Sequence, residues 1–221
     1  MNHFFHKELE TFRSHLVLMA EKSIDLLTLS LRSLFENDAS IIGDAKNRDD
    51  EIDQLEMAID QEAIRYLSLR APVASDLRLV TVGMKASHEL ERVGDEATSI
   101  AIRTQRLLLK SSVKDFYSIP KMSKIVLEML RDAIESFLNG DNSRASAIRR
   151  RDRKVNSLNR SNRKKITQYV MENPEHSQVG IELIFISKSL ERIADHATNI
   201  AEEVIFLYSG EDVRHTPKET S

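Results

Sequence analysis

Leu90-Glu91-Arg92-Val93-Gly94-Asp95-Glu96-Ala97-Thr98-Ser99-Ile100-Ala101 and Leu190-Glu191-Arg192-Ile193-Ala194-Asp195-His196-Ala197-Thr198-Asn199-Ile200-Ala201 are identical at eight of twelve positions. Within each stretch the apolar residues recur at i, i+3, i+7 and i+10, the spacing of one buried helix face. A second echo precedes each of them: Arg48-Asp49-Asp50-Glu51-Ile52-Asp53-Gln54-Leu55 is answered by Arg151-Asp152-Arg153-Lys154-Val155-Asn156-Ser157-Leu158. A repeat this long exceeds the unit of a solenoid and points to a duplicated supersecondary structure. The pattern predicts an all-α fold of two tandem, pseudo-symmetric three-helix bundles, six long helices packed about a pseudo-two-fold axis.

Outward from the repeats, helical spacing continues through Leu9, Phe12, Leu16 and Met19, and through Ile52, Leu55, Ile59 and Tyr66. Stop and start signals at Asn37-Asp38, Ala71-Pro72, Ser111 to Pro120, Asn139-Gly140-Asp141 and Asn173-Pro174 place helices at roughly 4–36, 39–69, 74–110, 119–138, 142–171 and 176–208. The first bundle is expected over 1–112, the second over 113–209, and a flexible polar tail over 210–221. The composition agrees, since only six Gly and four Pro occur in 221 residues, well under the usual share of about 7% and 5%. The absence of Cys excludes disulfides, thiolate metal sites and cysteine nucleophiles. With an N-terminus carrying acids and His and no long apolar run, the expected location is cytoplasmic.

The net charge of -3 conceals a segregation. Asp44 to Glu62 holds eight acids and two bases, whereas Arg144 to Lys165 holds ten bases and one acid. The basic block reads as a solvated helix face or as a docking surface for acidic protein, nucleic acid or anionic lipid. Within the echoes, Asp49/Asp53, Glu91/Asp95, Asp152/Asn156 and Glu191/Asp195 stand four residues apart and share helix faces. These stripes, extended by Glu56 and Asp60 in one helix and by Asn199 and Glu202 in another, are expected to point outward, opposite the core stripes. Like charges at this spacing destabilise an isolated helix by about 0.2–0.5 kcal/mol per pair. The stripes are therefore either solvated or neutralised by a cation. Oxygen ligands converging from two helices suit Mg, Mn, Ca or ferric iron.

Arg92 and Arg192 follow the glutamates as ion-pair partners or anion contacts. His88, one turn before Glu91, is better placed as a ligand than His196, although its counterpart Lys188 favours a solvated histidine. His15 and His176 have no acids in register and read as ordinary residues. No Gly-rich phosphate loop, nucleophile elbow, His-Glu-x-x-His or Glu-x-x-His motif occurs, so no enzymatic activity is expected.

The duplicated Glu-Arg-x-x-Asp-x-Ala-Thr-x-Ile-Ala segment, the four acid pairs and the turn Pro72-Val73-Ala74-Ser75-Asp76-Leu77-Arg78 resemble the PhoU family of bacterial phosphate-transport accessory and regulatory proteins. The resemblance runs from about Phe5 to Tyr208. It implies a cytoplasmic homodimer or higher oligomer, peripheral at the inner membrane through its partners. It implies negative regulation of phosphate-starvation signalling and of phosphate uptake, through contact with the Pst ABC transporter's ATPase and the PhoR sensor kinase. It also implies metal ions (iron, zinc, magnesium or manganese) on the bundle surfaces. Carried over, the first site draws on Asp49, Asp53, Glu91 and Asp95, and the second on Asp152, Asn156, Glu191, Asp195, Asn199 and Glu202. Ser99 and Ile102 stand where the second copy has Asn199 and Glu202, and Asn156, Asn159 and Arg163 stand opposite Asp53, Glu56 and Asp60. The first site is thus expected to be the more anionic, and the second to depend on its last helix. Metal storage, or a basic surface adapting nucleic acid or membrane, are the readings from other classes; the basic block holds no aromatic residue for stacking on a single strand, and no nucleic acid is expected as partner.

Overall fold

The structure, a computed structural model, describes residues 2–69, 72–109 and 116–210, with side chains from residue 8 onward apart from residue 142. Six α-helices run in order: α1 (Asn2–Glu36), α2 (Ala45–Leu69), α3 (Ala74–Leu108), α4 (Ile119–Asn139), α5 (Asn142–Glu172) and α6 (Ser177–Ser209). Among the described residues there is no strand. The helices α1, α2 and α3 pack on one another, as do α4, α5 and α6. The most extensive contact between the halves is α3 against α6, with α1 touching α4. The helix α2 lies in the groove of α1 and α3, and α5 in that of α4 and α6, so these two form opposite flanks.

The repeated stripes are the core. Leu90, Val93, Ala97 and Ile100 of α3, and Leu190, Ile193, Ala197 and Ile200 of α6, are all at 1% exposure or less. Each large side chain so buried removes apolar surface worth about 1.5–3 kcal/mol. Phe12, Leu16 and Met19 of α1 and Ile52, Ile59 and Tyr66 of α2 complete the first bundle's interior. Leu9 and Leu55 sit at its edge, partly exposed. At the other end of α1, Phe35 meets Phe116 edge to face at 5.4 Å between ring centroids, tying the first bundle to the segment that leads into α4.

The helix expected from residue 39 begins later. Asp38 accepts the backbone N–H of Ser40 at 2.9 Å and caps a 3₁₀ turn over Ala39–Ile42, which buries Ile42 and ends at Gly43 before α2 starts. A cap of this kind commits the chain to a short turn, and the helical pattern resumes only once it has been satisfied. Pro174 likewise opens a 3₁₀ turn, Pro174–His176, rather than α6 itself. Between α4 and α5 the junction is as expected: Gly140 takes the left-handed conformation (φ 69°) and Asp141 accepts the N–H groups of Ser143 and Arg144, both at 3.1 Å. The break at Ala71-Pro72, half of that at Ser111 to Pro120, and the tail beyond Gly210 fall wholly or partly outside the described residues.

Close approach of α1 and α3 depends on Gly83, where a Cβ would run into the Phe12 ring. Alanine there gains about 1 kcal/mol of helix propensity but overpacks the core by about 1–3 kcal/mol. We expect Gly83→Ala to be destabilising in urea unfolding, and the same substitution to be stabilising by a few tenths of a kcal/mol or more when Phe12 is Ala. Additive effects of the two changes would contradict this packing.

Candidate metal centre

In the first bundle the acids of α2 and α3 face each other across a groove floored by Ile52 and Ile59, which are fully buried. From α2 come Asp49, Asp53, Glu56 and Asp60, and from α3 His88, Glu91 and Asp95. Glu56 Oε1 lies 3.1 Å from His88 Nδ1. With a carboxylate oxygen of Glu91 these donor atoms all fall within 4.8 Å of one another, a spacing one cation can span. Arg92 leans over the far side, its Nε 3.1 Å from Glu91 Oε2 and its Nη1 3.1 Å from Asp95 Oδ2. One guanidinium does not neutralise the groove. Burial, then repulsion from Asp95 and Asp53, pushes the Asp49 carboxyl up to about 6. Burial raises Asp53, Asp60 and Glu91 too, with neighbouring carboxylates adding to it.

In the second bundle Asp152 of α5 is buried at 1% exposure, contrary to the expectation that the acid stripes point outward. Asn156 Nδ2 donates to Asp152 Oδ2 at 3.1 Å. Asp195 is held up to about 6 by burial first, then by Glu191 and Asp152, while Lys188 and His196 pull it back. Lys188 donates directly to Glu191.

Two residues assigned by sequence to this site stand elsewhere. Asn199 is about 40° around the helix from Asp195, turned toward α3, and its amide donates to both oxygens of Glu89 at 3.1 Å. Glu202 is in phase with Asp195 but about 10 Å further along, opposite Arg149, whose Nε lies 3.2 Å from it. Glu202 is also buried, at 8% exposure.

Several polar partners were not legible as such. Glu89 pairs with His196 at 2.6 Å, Glu96 with Arg192 at 2.8 Å, and Glu203 with Lys85 at 3.1 Å, all across the α3–α6 contact. The signal is present in the repeat: 89, 96 and 85 are positions where the two copies differ. His15, read as ordinary, lies 3.0 Å from Glu62, and His176 stacks on Tyr169 at 5.7 Å. Part of the basic block is tied down, Arg144 by Asp132 and Asp141, and Arg151 by Asp132. Arg150, Lys154, Arg160, Arg163, Lys164 and Lys165 face solvent.

The raised carboxyls fix a pH dependence. Unfolded Asp loses its proton near pH ~3.9, whereas folded Asp49 and Asp195 hold theirs to about 6. Between those values the native chain binds more protons, so the stability of the metal-free protein falls as pH rises from about 4 to about 7. Denaturant unfolding at a series of pH values, with chelator present, checks this. The Asp49→Asn/Asp195→Asn variant should show a shallower fall, and an unchanged slope would refute the assignment.

A family model described as the PhoU domain matches twice, at residues 16–104 and 119–204. A Pseudomonas putida protein named phosphate-specific transport system accessory protein PhoU homolog is 36% identical over 212 residues, 96% of this chain and 83% of that one. The crystal structure of PhoU from Pseudomonas aeruginosa superposes with a TM-score of 0.91 at 34% identity, covering 94% of this chain and 100% of that chain. The phosphate transport system regulatory protein PhoU from Streptococcus pneumoniae superposes with a TM-score of 0.87 at 29% identity, covering 95% of this chain and 99% of that chain. Both copies of the duplication, and nearly the whole length, are shared with these proteins: the chain belongs to the PhoU family.

Proposed function

We propose that this chain is an accessory regulator of phosphate transport, which restrains phosphate uptake and phosphate-starvation signalling by contacting the ATPase of a Pst-type ABC transporter and a PhoR-type sensor kinase. The observation that carries this reading is the match to the PhoU domain in both bundles, together with relatives named for the phosphate-specific transport system that align with 96% of this chain. The scaffold suits an adaptor. Long helices locked through a common core present fixed charged faces, and no described helix is long and apolar enough to cross a membrane. The chain would work in the cytoplasm, as a homodimer or higher oligomer, reaching the membrane through its partners.

A metal ion belongs to the same proposal. The donor set of the α2–α3 groove fits one: His88 supplies a nitrogen, Glu56 and Glu91 supply carboxylates, and Asp49, Asp53 and Asp95 supply the surrounding negative charge. A mixed nitrogen and carboxylate set favours manganese, iron or zinc over magnesium or calcium. Bound there, the cation relieves the repulsion among the carboxylates and links α2 to α3. The chain's own residues position the ligands: Arg92 orients Glu91 and Asp95, and the buried Ile52 and Ile59 set the spacing of the helices.

Two outcomes test the proposal. In the parent organism growing on ample phosphate, deleting the chain should derepress phosphate-starvation genes, and tagged protein should retain the transporter ATPase on affinity capture. Unchanged expression together with no capture of either partner would sink the regulatory reading. Separately, stripping metal with a chelator should lower the melting temperature by several degrees, as expected for loss of a ligand that binds only the folded state, and Asp95→Ala should remove part of that difference. A melt indifferent to chelation, with no metal by elemental analysis, would remove the cation from the account.

A further inference from the structure

The duplication supplies an internal comparison for the metal centre. Position for position, Glu56, His88 and Glu91 of the first bundle are answered in the second by Asn159, Lys188 and Glu191. A carboxylate has become an amide and an imidazole has become an ammonium, which has three donors and no lone pair to give a metal. The side chains are arranged accordingly. Lys188 Nζ donates to the Glu191 carboxylate. Asn159 Oδ1 accepts from Ser187 Oγ at 2.9 Å, and Ser187 in turn accepts from Asn162 at 3.1 Å, so the amide oxygen is engaged by the buried Ser187 and Asn162 rather than offered to the groove. Asn156, in the place of Asp53, donates to Asp152. Lys188 and Asn156 thus put donors where the first bundle has acceptors, and Asn159 commits its one oxygen to Ser187.

We infer that the Lys188 ammonium stands in the second bundle where a metal ion stands in the first, so that this chain takes a divalent cation in the α2–α3 groove alone. The donor set of the α5–α6 groove does not fit the cation that family membership implies. A metal entering it would meet a resident positive charge, would have to release Glu191 from that charge, and would find amides in place of two of the carboxylates. In the first groove a cation meets six carboxylates, Asp49, Asp53, Glu56, Asp60, Glu91 and Asp95, with Arg92 as the counter-charge on Glu91 and Asp95. The two halves have therefore diverged into one groove that needs an external cation and one that carries its own. The part concerning the first groove rests on the metal reading proposed above.

Titration of metal-stripped full-length protein with Mn²⁺, followed by paramagnetic broadening of backbone amides, locates each bound ion. Broadening should be confined to α2 and α3. His88→Ala or Glu56→Gln should weaken binding about 10-fold or more, while Asp195→Asn should leave it within about 2-fold, the usual indifference of a distant site. The double change Asn159→Glu/Lys188→His should create a second broadened region on α5 and α6. Broadening of α5 and α6 in the unaltered protein, with Lys188 displaced to solvent, would overturn the inference. If no Mn²⁺ binds anywhere, the metal reading fails, and the role of Lys188 is decided without metal. Lys188→Met, which keeps helix propensity, should then lower the melting temperature by about 2–4 °C, and Lys188→Met/Glu191→Gln should recover most of it. No loss from Lys188→Met would show that Lys188 is not the resident cation.

Discussion

The contact of α3 with α6 is the constraint on which the molecule depends. Two helices copied from one ancestor segment cross antiparallel, so that residues away from the centre face the copy of a different position, as Lys85 faces Glu203, the counterpart of Arg103. Identical charged copies would set like against like across that seam. The sequence has parted where such clashes would fall: Glu96 meets Arg192 while its own counterpart, His196, meets Glu89. Lys85 pairs with Glu203 at one end, and at the other Arg103 pairs with Glu182 and lies over the Phe185 ring at 4.0 Å. Positions 85 and 185, and 103 and 203, are equivalents under the duplication, and each has taken a different role. The apolar stripe beneath has barely changed, because two greasy faces are complementary to their own copies without alteration.

Once α3 and α6 are fixed, the outer helices have one place each to bury their apolar stripes, and the grooves follow. Acids at i and i+4 on α2 and α3 are brought face to face by packing that is driven elsewhere, by Ile52, Ile59, Leu90 and Val93. The core thus holds these acids half-buried beside one another, and burial first, then their mutual repulsion, raises the carboxyls above their ordinary range. In the second groove the same backbone is kept with a different solution, an ammonium and amides. The buried Asn162 stands where the first bundle has the buried Ile59. It also accepts the N–H of Ser118 at 3.0 Å, fastening the start of α4 to the middle of α5.

Fold class and core were readable because both rest on periodicity. The stripes of α3 and α6 mark buried faces whatever lies opposite them, and Gly140 with Asp141 announces a stop and a start by local backbone chemistry alone. The acid pairs were readable as pairs, since i,i+4 spacing places them on one face. What they met was not, because the partner of a side chain depends on the axial offset between helices. Glu202 shares a phase with Asp195 and still faces Arg149, and Asn199 shares a motif and still turns to Glu89. Asp152 was expected to point outward with the other acid stripes, yet it is the one acid of its stretch and the interior keeps it. Glu56 and His88 were each visible as residues of a stripe, but their convergence with Glu91 required the two helices to be set side by side.

The placement of α2 and α5 on opposite flanks gives the chain an electrical axis. The stretch 44–62 is strongly acidic and the stretch 144–165 strongly basic, so a chain of small net charge keeps its charges separated along one axis. In the field of a charged surface such a body feels little net pull and a substantial torque. It turns before it touches, arriving with α5 foremost toward anionic groups and α2 foremost toward cationic ones. That orientation fades once the separation exceeds the Debye length of about 8 Å in physiological salt. For an adaptor with two partners, the same separation of charge allows both flanks to be engaged at once without either contact opposing the other.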